Sequence, residues 1–280
     1  MKQIALKVTQ KDDLVKYIIE HSDYSKNKIK SFIKYRKISL NNNVVTKLPT
    51  LVDVDDLITI DLEVKEELPF DIIYEDNEII VIDKKAGLLT IGTIYENEVT
   101  LYRLVREYAS KNRFQAFVVH RLDRETSGIV MFAKSERIKR LYQDNWNELV
   151  TKRGYIAIVE GKVEKDGRIE NLLYEENNTF VHSSKIGKKA ITNYKVLNSN
   201  KMYSLLDINI ETGRKNQIRV HMSELGYPIV GDKKYGSKND PIHRMALHAY
   251  CLEIRHPIKN NIMCFKSEYP IIFNKLIKNK

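Results

Sequence analysis

The sequence predicts an α+β protein in two parts: a small N-terminal α/β unit, then a larger region built on a large mixed, mostly antiparallel sheet with flanking helices. Three observations carry that expectation. Strand-like runs dominate beyond residue 69, at spacings too irregular for a βαβαβ alternation. A polar, acidic stretch ending in proline, Glu63 to Pro69 (EVKEELP), breaks the pattern and reads as a linker. At roughly 150 residues per domain, 280 residues exceed one small module. The expected domains are residues 1–65 and 66–280.

Within the first unit, Asp12 to Glu20 places Leu14, Val15, Ile18 and Ile19 at helical spacing. A second helix is expected over Tyr24 to Lys37. Its apolar stripe is Ile29, Phe32 and Ile33, while Lys26, Lys28, Lys30, Lys34, Arg36 and Lys37 lie mostly off that stripe with no acidic residue among them. Ile38 to Leu40, the Asn41-Asn42-Asn43 run and Val44-Val45 read as strand, turn and strand, because asparagine tolerates the left-handed conformations of tight turns. Asp53 to Leu62 closes the unit with a short alternating strand. In the second unit, strands are expected at Ile72 to Tyr74, Glu78 to Ile82, Ala116 to Val119, Ile129 to Ala133, Tyr155 to Glu160, Ala190 to Leu197, Tyr203 to Ile210 and Ala249 to Ile254. Helices are expected at Thr100 to Lys111, Glu136 to Glu148 and Asn216 to Leu225.

Composition narrows the function classes. Hydrophobic residues at 42%, with 11 Gly and 6 Pro, describe a folded chain and not a fibrous or disordered one. Two cysteines, Cys251 and Cys264, cannot supply a disulfide framework at this size and point to a reducing compartment, so a cytoplasmic location is expected. The N-terminus has no unbroken apolar h-region, and no window approaches 18 apolar residues; neither secretion nor membrane spanning is expected. The 47 Lys+Arg against 37 Asp+Glu give a net charge of +10, which fits a polyanionic partner and equally a lysine-rich genome bias.

The most informative stretch is His120 to Ser135, HRLDRETSGIVMFAKS, a polar connection between two strand-like runs. Asp123 lies beside Arg121 and Arg124, whose cations favour the carboxylate form needed in a nucleophile or an electrostatic partner. Thr126, Ser127 and Gly128 are expected to form a tight turn donating backbone N–H groups. By chemistry alone the same residues also describe a surface salt-bridge cluster, a common and weak arrangement.

HRLDRETSG followed by an apolar strand resembles the signature of the RluA family of RNA pseudouridine synthases, in which the aspartate is catalytic. Further blocks follow in family order: FDIIYEDNEIIVIDKKAGLL (Phe70 to Leu89, with Lys85 where the family usually has Pro), KRGYIAIVEG around Tyr155, AITNYKVL, ETGRKNQIRVHMSELGYPIVGDKKYG around Arg219, and RMALHAYCLEIRHP. The resemblance covers roughly residues 70 to 270. It implies the pseudouridine synthase fold, Asp123, Tyr155 and Arg219 as the catalytic set, isomerisation of specific uridines in structured RNA (rRNA or tRNA), and no cofactor or metal. One departure stands out: Asn216 replaces the usual histidine before the Gln, and it cannot titrate near neutrality. The N-terminal unit resembles an S4 RNA-binding domain, which makes Lys28, Lys30, Lys34, Arg36 and Lys37 expected phosphate contacts beside Arg121 and Arg124. A monomer is expected.

The implied chemistry breaks the N1–C1′ bond, turns the uracil and rejoins it through C5. Asp123 would attack C1′ or C6 or remove the 2′ proton; Arg219 would orient Asp123; Tyr155 would stack on the base with its hydroxyl near C5. The uridine must first leave its stack, and Arg121 stands where it could fill the vacated space. Three rival readings are a retaining glycosidase with Glu125 as second carboxylate, a zinc site among His243, His248, Cys251, His256 and Cys264, and a non-catalytic RNA-binding protein on the same fold.

Overall fold

The structure, a computed structural model, describes residues 3–34, 37–61, 68–92, 99–176 and 180–278. It divides into two compact units, Met1–Leu68 and Pro69–Lys280, the break falling inside the acidic, proline-terminated stretch.

The first unit opens with β1 (Gln3–Lys7) and the two-residue β2 (Asp12–Asp13). Asp13 then caps α1 (Leu14–Glu20), its side chain accepting from the backbone N–H groups of Val15 and Lys16. Next come α2 (Lys26–Lys34), β3 (Ile38–Leu40), β4 (Asn43–Val44), β5 (Leu51–Val52) and β6 (Leu57–Asp61). The main sheet runs β1-β6-β3-β4, and β2 pairs with β5. Asn41 and Asn42 carry φ of 49° and 66° and close the β3–β4 turn. Ile58 and Ile60 point inward against Leu14, Ile18, Ile29 and Ile38, all fully buried. Lys26, Lys28 and Lys30 stand exposed around the buried Ile29 of α2. Lys37 follows the helix, its backbone N–H returning to the Phe32 carbonyl at 2.8 Å. Arg36 and the Lys34 side chain lie outside the described residues, as does most of the expected linker.

The second unit contains β7 (Asp71–Glu75), β8 (Ile79–Lys84), α3 (Leu101–Lys111), β9 (Phe117–Val118), β10 (Ser127–Ala133), α4 (Glu136–Asp144), α5 (Trp146–Leu149), β11 (Val150–Glu160), β12 (Gly167–Glu176), β13 (Phe180–Ser183), β14 (Lys188–Ser199), β15 (Tyr203–Ile210), α6 (Gln217–Glu224), β16 (Leu247–Arg255), β17 (Ile262–Lys266) and α7 (Ile271–Lys278). Its eleven-stranded sheet runs β13-β12-β14-β15-β11-β16-β10-β8-β7, with β17 on β16 and β9 on β10. The sheet is antiparallel except between β10 and β16, where Ser127 lies opposite His248 and Gly128 opposite Ala249. Beyond this two-residue ladder, the same edge of β16 is taken by β17 from Cys251 onward. Gly128 fits there because it has no side chain: a Cβ would sit 2.2 Å from the Ala249 carbonyl oxygen, and its φ is +111°.

Several elements depart from the sequence expectation. The helix expected over Glu136 to Glu148 is two helices, divided at Asn145, whose φ of −118° and ψ of 33° are not helical. The expected Thr126-Ser127-Gly128 turn lies earlier: Thr126 donates to the Asp123 carbonyl at 3.2 Å, and Ser127 and Gly128 already belong to β10. A strand begins at Ser127 because its neighbour in β16 offers a pairing partner, which local sequence does not reveal.

Candidate active site

The connection from β9 to β10 carries Asp123, and its backbone is fastened on both sides of that residue. Upstream, the buried Thr90 hydroxyl donates to the Leu122 carbonyl at 2.8 Å and accepts the Leu122 N–H at 3.1 Å. Downstream, the Arg124 carbonyl accepts from the Gly87 N–H at 2.9 Å and from the Lys84 ammonium at 3.0 Å. Lys84 is only 1% exposed and also donates to the Leu88 and Lys85 carbonyls at 2.7 and 3.1 Å. Burial pushes it down to about 8, while the Asp123 and Glu125 charges act in the opposite sense. At the start of the connection, His120 Nε2 accepts the Met131 N–H at 3.0 Å, and burial followed by the Arg153 charge lowers His120 to about 4.

Arg219 comes from α6, and the helix geometry explains the Gln-x-Arg-x-His spacing. Gln217 and His221, four residues apart, share one face, and Arg219 falls on the other. Gln217 is fully engaged. Its Oε1 accepts from the Thr212 hydroxyl (2.7 Å) and the Arg214 N–H (3.0 Å), and its Nε2 donates to the Ile191 carbonyl (2.9 Å) and the Thr192 hydroxyl (3.0 Å). His221 bridges the Thr192 hydroxyl and the Asn171 carboxamide oxygen, each at 2.9 Å. These two residues lock α6 to the sheet, leaving Arg219 to face the pocket.

The guanidinium is held from four directions. Asp232, 3% exposed, takes its Nε at 2.7 Å and its second terminal nitrogen at 2.8 Å, a bidentate pair. Asn216 Oδ1 accepts from the remaining nitrogen at 3.0 Å, and the same nitrogen reaches Asp123 Oδ2 at 3.4 Å. The Tyr235 ring lies 4.9 Å below. Burial alone would lower the guanidinium, yet the Asp232 hydrogen bonds and charge, with Asp123 added, hold it above its ordinary value. Asn216, in a left-handed conformation with φ 54°, donates its amide to the Tyr235 hydroxyl at 3.0 Å. In place of a titratable histidine, the chain uses a residue that joins Arg219 to Tyr235.

A pocket brings together Arg121, Asp123, Tyr155, Asn216 and Arg219, walled by Leu122, Ile210, Ile218 and Leu247. Tyr155 is half-buried on β11, and its phenol is pushed up to about 12, chiefly by burial, against a smaller lowering by Arg153. It is a neutral phenol at physiological pH. Arg121 is exposed at the pocket rim. Arg124 does not line the pocket; its backbone serves as the anchor described above. A polar pocket holding a carboxylate, a fixed guanidinium and an aromatic ring suits reaction at a sugar or base that enters from solution. A family model described as RNA pseudouridylate synthase matches residues 78–224, a little over half of the chain and the stretch that carries Asp123, Tyr155 and Arg219. The chain belongs to this family.

Among similar proteins, an uncharacterized RNA pseudouridine synthase of Bacillus subtilis is 32% identical over 91% of this chain and 88% of its own. The ribosomal large subunit pseudouridine synthase D of Vibrio cholerae is 31% identical over 96% of this chain and 92% of its own. In structure, human RNA pseudouridylate synthase domain containing 4 superposes with a TM-score of 0.59 at 22% identity, covering 72% of this chain and 90% of that one, a likeness of fold. This pseudouridine synthase therefore has the RluA-type fold that the ordered motif blocks imply, and its activity is isomerisation of uridine in RNA. The rival sites are not assembled. Glu125 is exposed and does not line the pocket, and among the described residues no three His, Cys, Asp or Glu side chains gather to hold a metal ion. No helix among the described residues is long and apolar enough to cross a membrane.

Sequence reasoning missed Asp232, Tyr235, Lys84 and Thr90 as parts of the site. Asp232 and Tyr235 lie within the quoted VGDKKYG block, and an acidic residue shortly after a helix carrying a lone arginine was the available signal.

Proposed function

We propose that Asp123 is the catalytic carboxylate of uridine isomerisation and that Arg219 and Tyr155 act with it on a uridine flipped out of structured RNA. The reading is carried by one observation: Arg219, fixed by two short bonds to Asp232, still directs a nitrogen to within 3.4 Å of Asp123 Oδ2. A guanidinium pinned in that way orients the carboxylate without neutralising it by a bidentate clasp, leaving Asp123 free to attack C1′ or C6, or to take the 2′ proton. The apolar wall of Leu122, Ile210, Ile218 and Leu247 receives the base once N1–C1′ is broken and keeps it beside the sugar while it turns.

Tyr155 gives this base an aromatic face to stack on. As a neutral phenol it can take the C5 proton only by passing its own to a second acceptor in the same step. Arg121 occupies the space vacated by the flipped nucleotide or contacts the displaced phosphate. Arg124, Lys28, Lys30, Lys34, Arg36 and Lys37 supply sequence-independent phosphate contacts, the last five from an S4-like N-terminal unit of about 65 residues. The relatives named for the large ribosomal subunit make rRNA the first target to test, with tRNA second. The enzyme acts as a cytoplasmic monomer.

Carbodiimide primer-extension mapping of pseudouridines in rRNA and tRNA, in wild type and in an Asp123→Asn strain, tests this reading. Loss of signal at one or a few uridines is expected. Identical maps would sink it.

A further inference from the structure

We propose that Ser127, His248 and Ser267 form a one-way hydrogen-bond chain between Arg244 and Asp83, and that this chain positions Asp123. The inference rests on Asp123 being the reacting carboxylate. Arg244 donates to Ser127 Oγ at 2.7 Å, and Ser127 Oγ meets His248 Nδ1 at 2.8 Å. His248 Nε2 meets Ser267 Oγ at 3.1 Å, and Ser267 Oγ donates to Asp83 Oδ2 at 2.6 Å. Ser127, His248 and Ser267 are all buried.

With the imidazole neutral, the direction of every bond follows from the two ends. A guanidinium only donates and a carboxylate only accepts. Ser267 gives its one proton to Asp83, so it must accept from His248, and Nε2 carries the hydrogen. A neutral imidazole has one N–H, so Nδ1 is bare and accepts the Ser127 proton. Ser127 in turn accepts from Arg244. Burial, then the neighbouring Arg244, lowers His248 to about 4, consistent with the neutral ring this polarity requires.

The chain lies where the fold needs it. β10 and β16 pair through only two residues, Ser127↔His248 and Gly128↔Ala249. Ser127 is four positions after Asp123, next to Thr126, whose N–H closes the turn on the Asp123 carbonyl. A slack start to β10 would therefore move the turn that displays Asp123. Neither Ser127 nor His248 lines the pocket, so they are positioning residues.

The test has two arms. In wild-type protein, 15N-resolved NMR of the His248 ring at neutral pH should show a protonated Nε2 and a bare Nδ1; the opposite tautomer or an imidazolium overturns the chain without reference to any reaction. The second arm is tritium release from a 5-tritiated large-subunit rRNA transcript. Ser127→Ala should lower kcat by about ten- to a hundredfold, the scale of small misplacements of a catalytic group, with KM within about twofold. His248→Asn, which retains an acceptor near the Nδ1 position, should restore more of kcat than His248→Gln, which reaches only toward Ser267. Full activity of folded Ser127→Ala, or equal loss in the two His248 variants, overturns the positioning role. A wild-type enzyme that releases no tritium speaks against the rRNA reading instead, and the NMR arm still decides the chain.

Discussion

Asp232→Asn isolates the device that fixes Arg219. The substitution preserves volume and one acceptor oxygen, but sets an NH2 group against a guanidinium N–H, two donors face to face. One of the two bonds at 2.7 and 2.8 Å is lost. A hydrogen bond to a charged group contributes about 1.5–3 kcal/mol, and this pair is buried on both sides, with side-chain exposures of 12% and 2%. The loss should therefore be close to that range. In a unit of roughly 200 residues each kcal/mol moves Tm by about 2–4 °C, so a fall of about 3–12 °C is expected. Catalysis should suffer more than stability. Held by one bond fewer, the guanidinium has Asp123 as its remaining carboxylate and should close the 3.4 Å contact into a clasp on the carboxylate proposed to react. We expect kcat to drop about a hundredfold, RNA affinity to hold, and the double variant Asp232→Asn/Arg219→Gln to be no worse than Arg219→Gln alone, since both act through one interaction. Single-turnover tritium release and a thermal melt measure these quantities. An Asp232→Asn enzyme with wild-type kcat and Tm, or losses that add fully in the double variant, would refute the reasoning.

Other perturbations address separate parts of the molecule. Lys84 is held at about 8, below the roughly 10.4 of an unfolded lysine, so the unfolded chain binds more protons in that window and folding gains stability as pH rises through it. Relative to Lys84→Met, wild type should gain about 1.4 kcal/mol per pH unit between about pH 8 and 10 in chemical denaturation; a flat difference would contradict the lowering of Lys84 by burial. Gly128→Ala forces a methyl to within 2.2 Å of the Ala249 carbonyl and should cost about 2–4 kcal/mol, read as a lowered melting temperature with loss of activity. Lys28→Ala/Lys30→Ala should reduce the slope of log affinity against log salt by about 0.7–0.9 per phosphate contact removed without changing kcat under saturating RNA; an unchanged slope would remove these lysines from the RNA surface.

The parts of this protein that were legible in its sequence are those where chemistry or periodicity is local. Ile58 and Ile60 alternate with the polar-facing Leu57 and Thr59 in β6, and the Asn41-Asn42 turn announces itself by residue type. β12 was illegible for a physical reason: in Gly167–Glu176 only Leu173 is buried, so there is no alternating apolar face to read. β1, also missed, is a short edge strand whose partner β6 lies some fifty residues away. In the site, Asp123, Tyr155 and Arg219 stand out because each sits in a recognisable block. Their supports do not. Lys84 looks like one lysine among many, and only the fold shows three carbonyls converging on it. Asn216 reads as the loss of a proton-transfer group, whereas the structure gives it two bonding partners and a task, holding Arg219 to Tyr235.

The separation in sequence between β10 and β16 governs when this enzyme can first act. Asp123 lies 96 residues before Arg219, and Ser127 lies 121 residues before His248. Chains leave the ribosome N-terminus first at about 5–20 residues per second, so the basic N-terminal helix emerges early while the reaction centre has no second half. With the phosphate contacts proposed for that helix, a nascent chain would hold RNA before it could alter it. Arg219 and His248 both follow β15, and a message truncated before the codon for His248 would yield a product with the proposed RNA-gripping lysines but without the full proposed reaction centre.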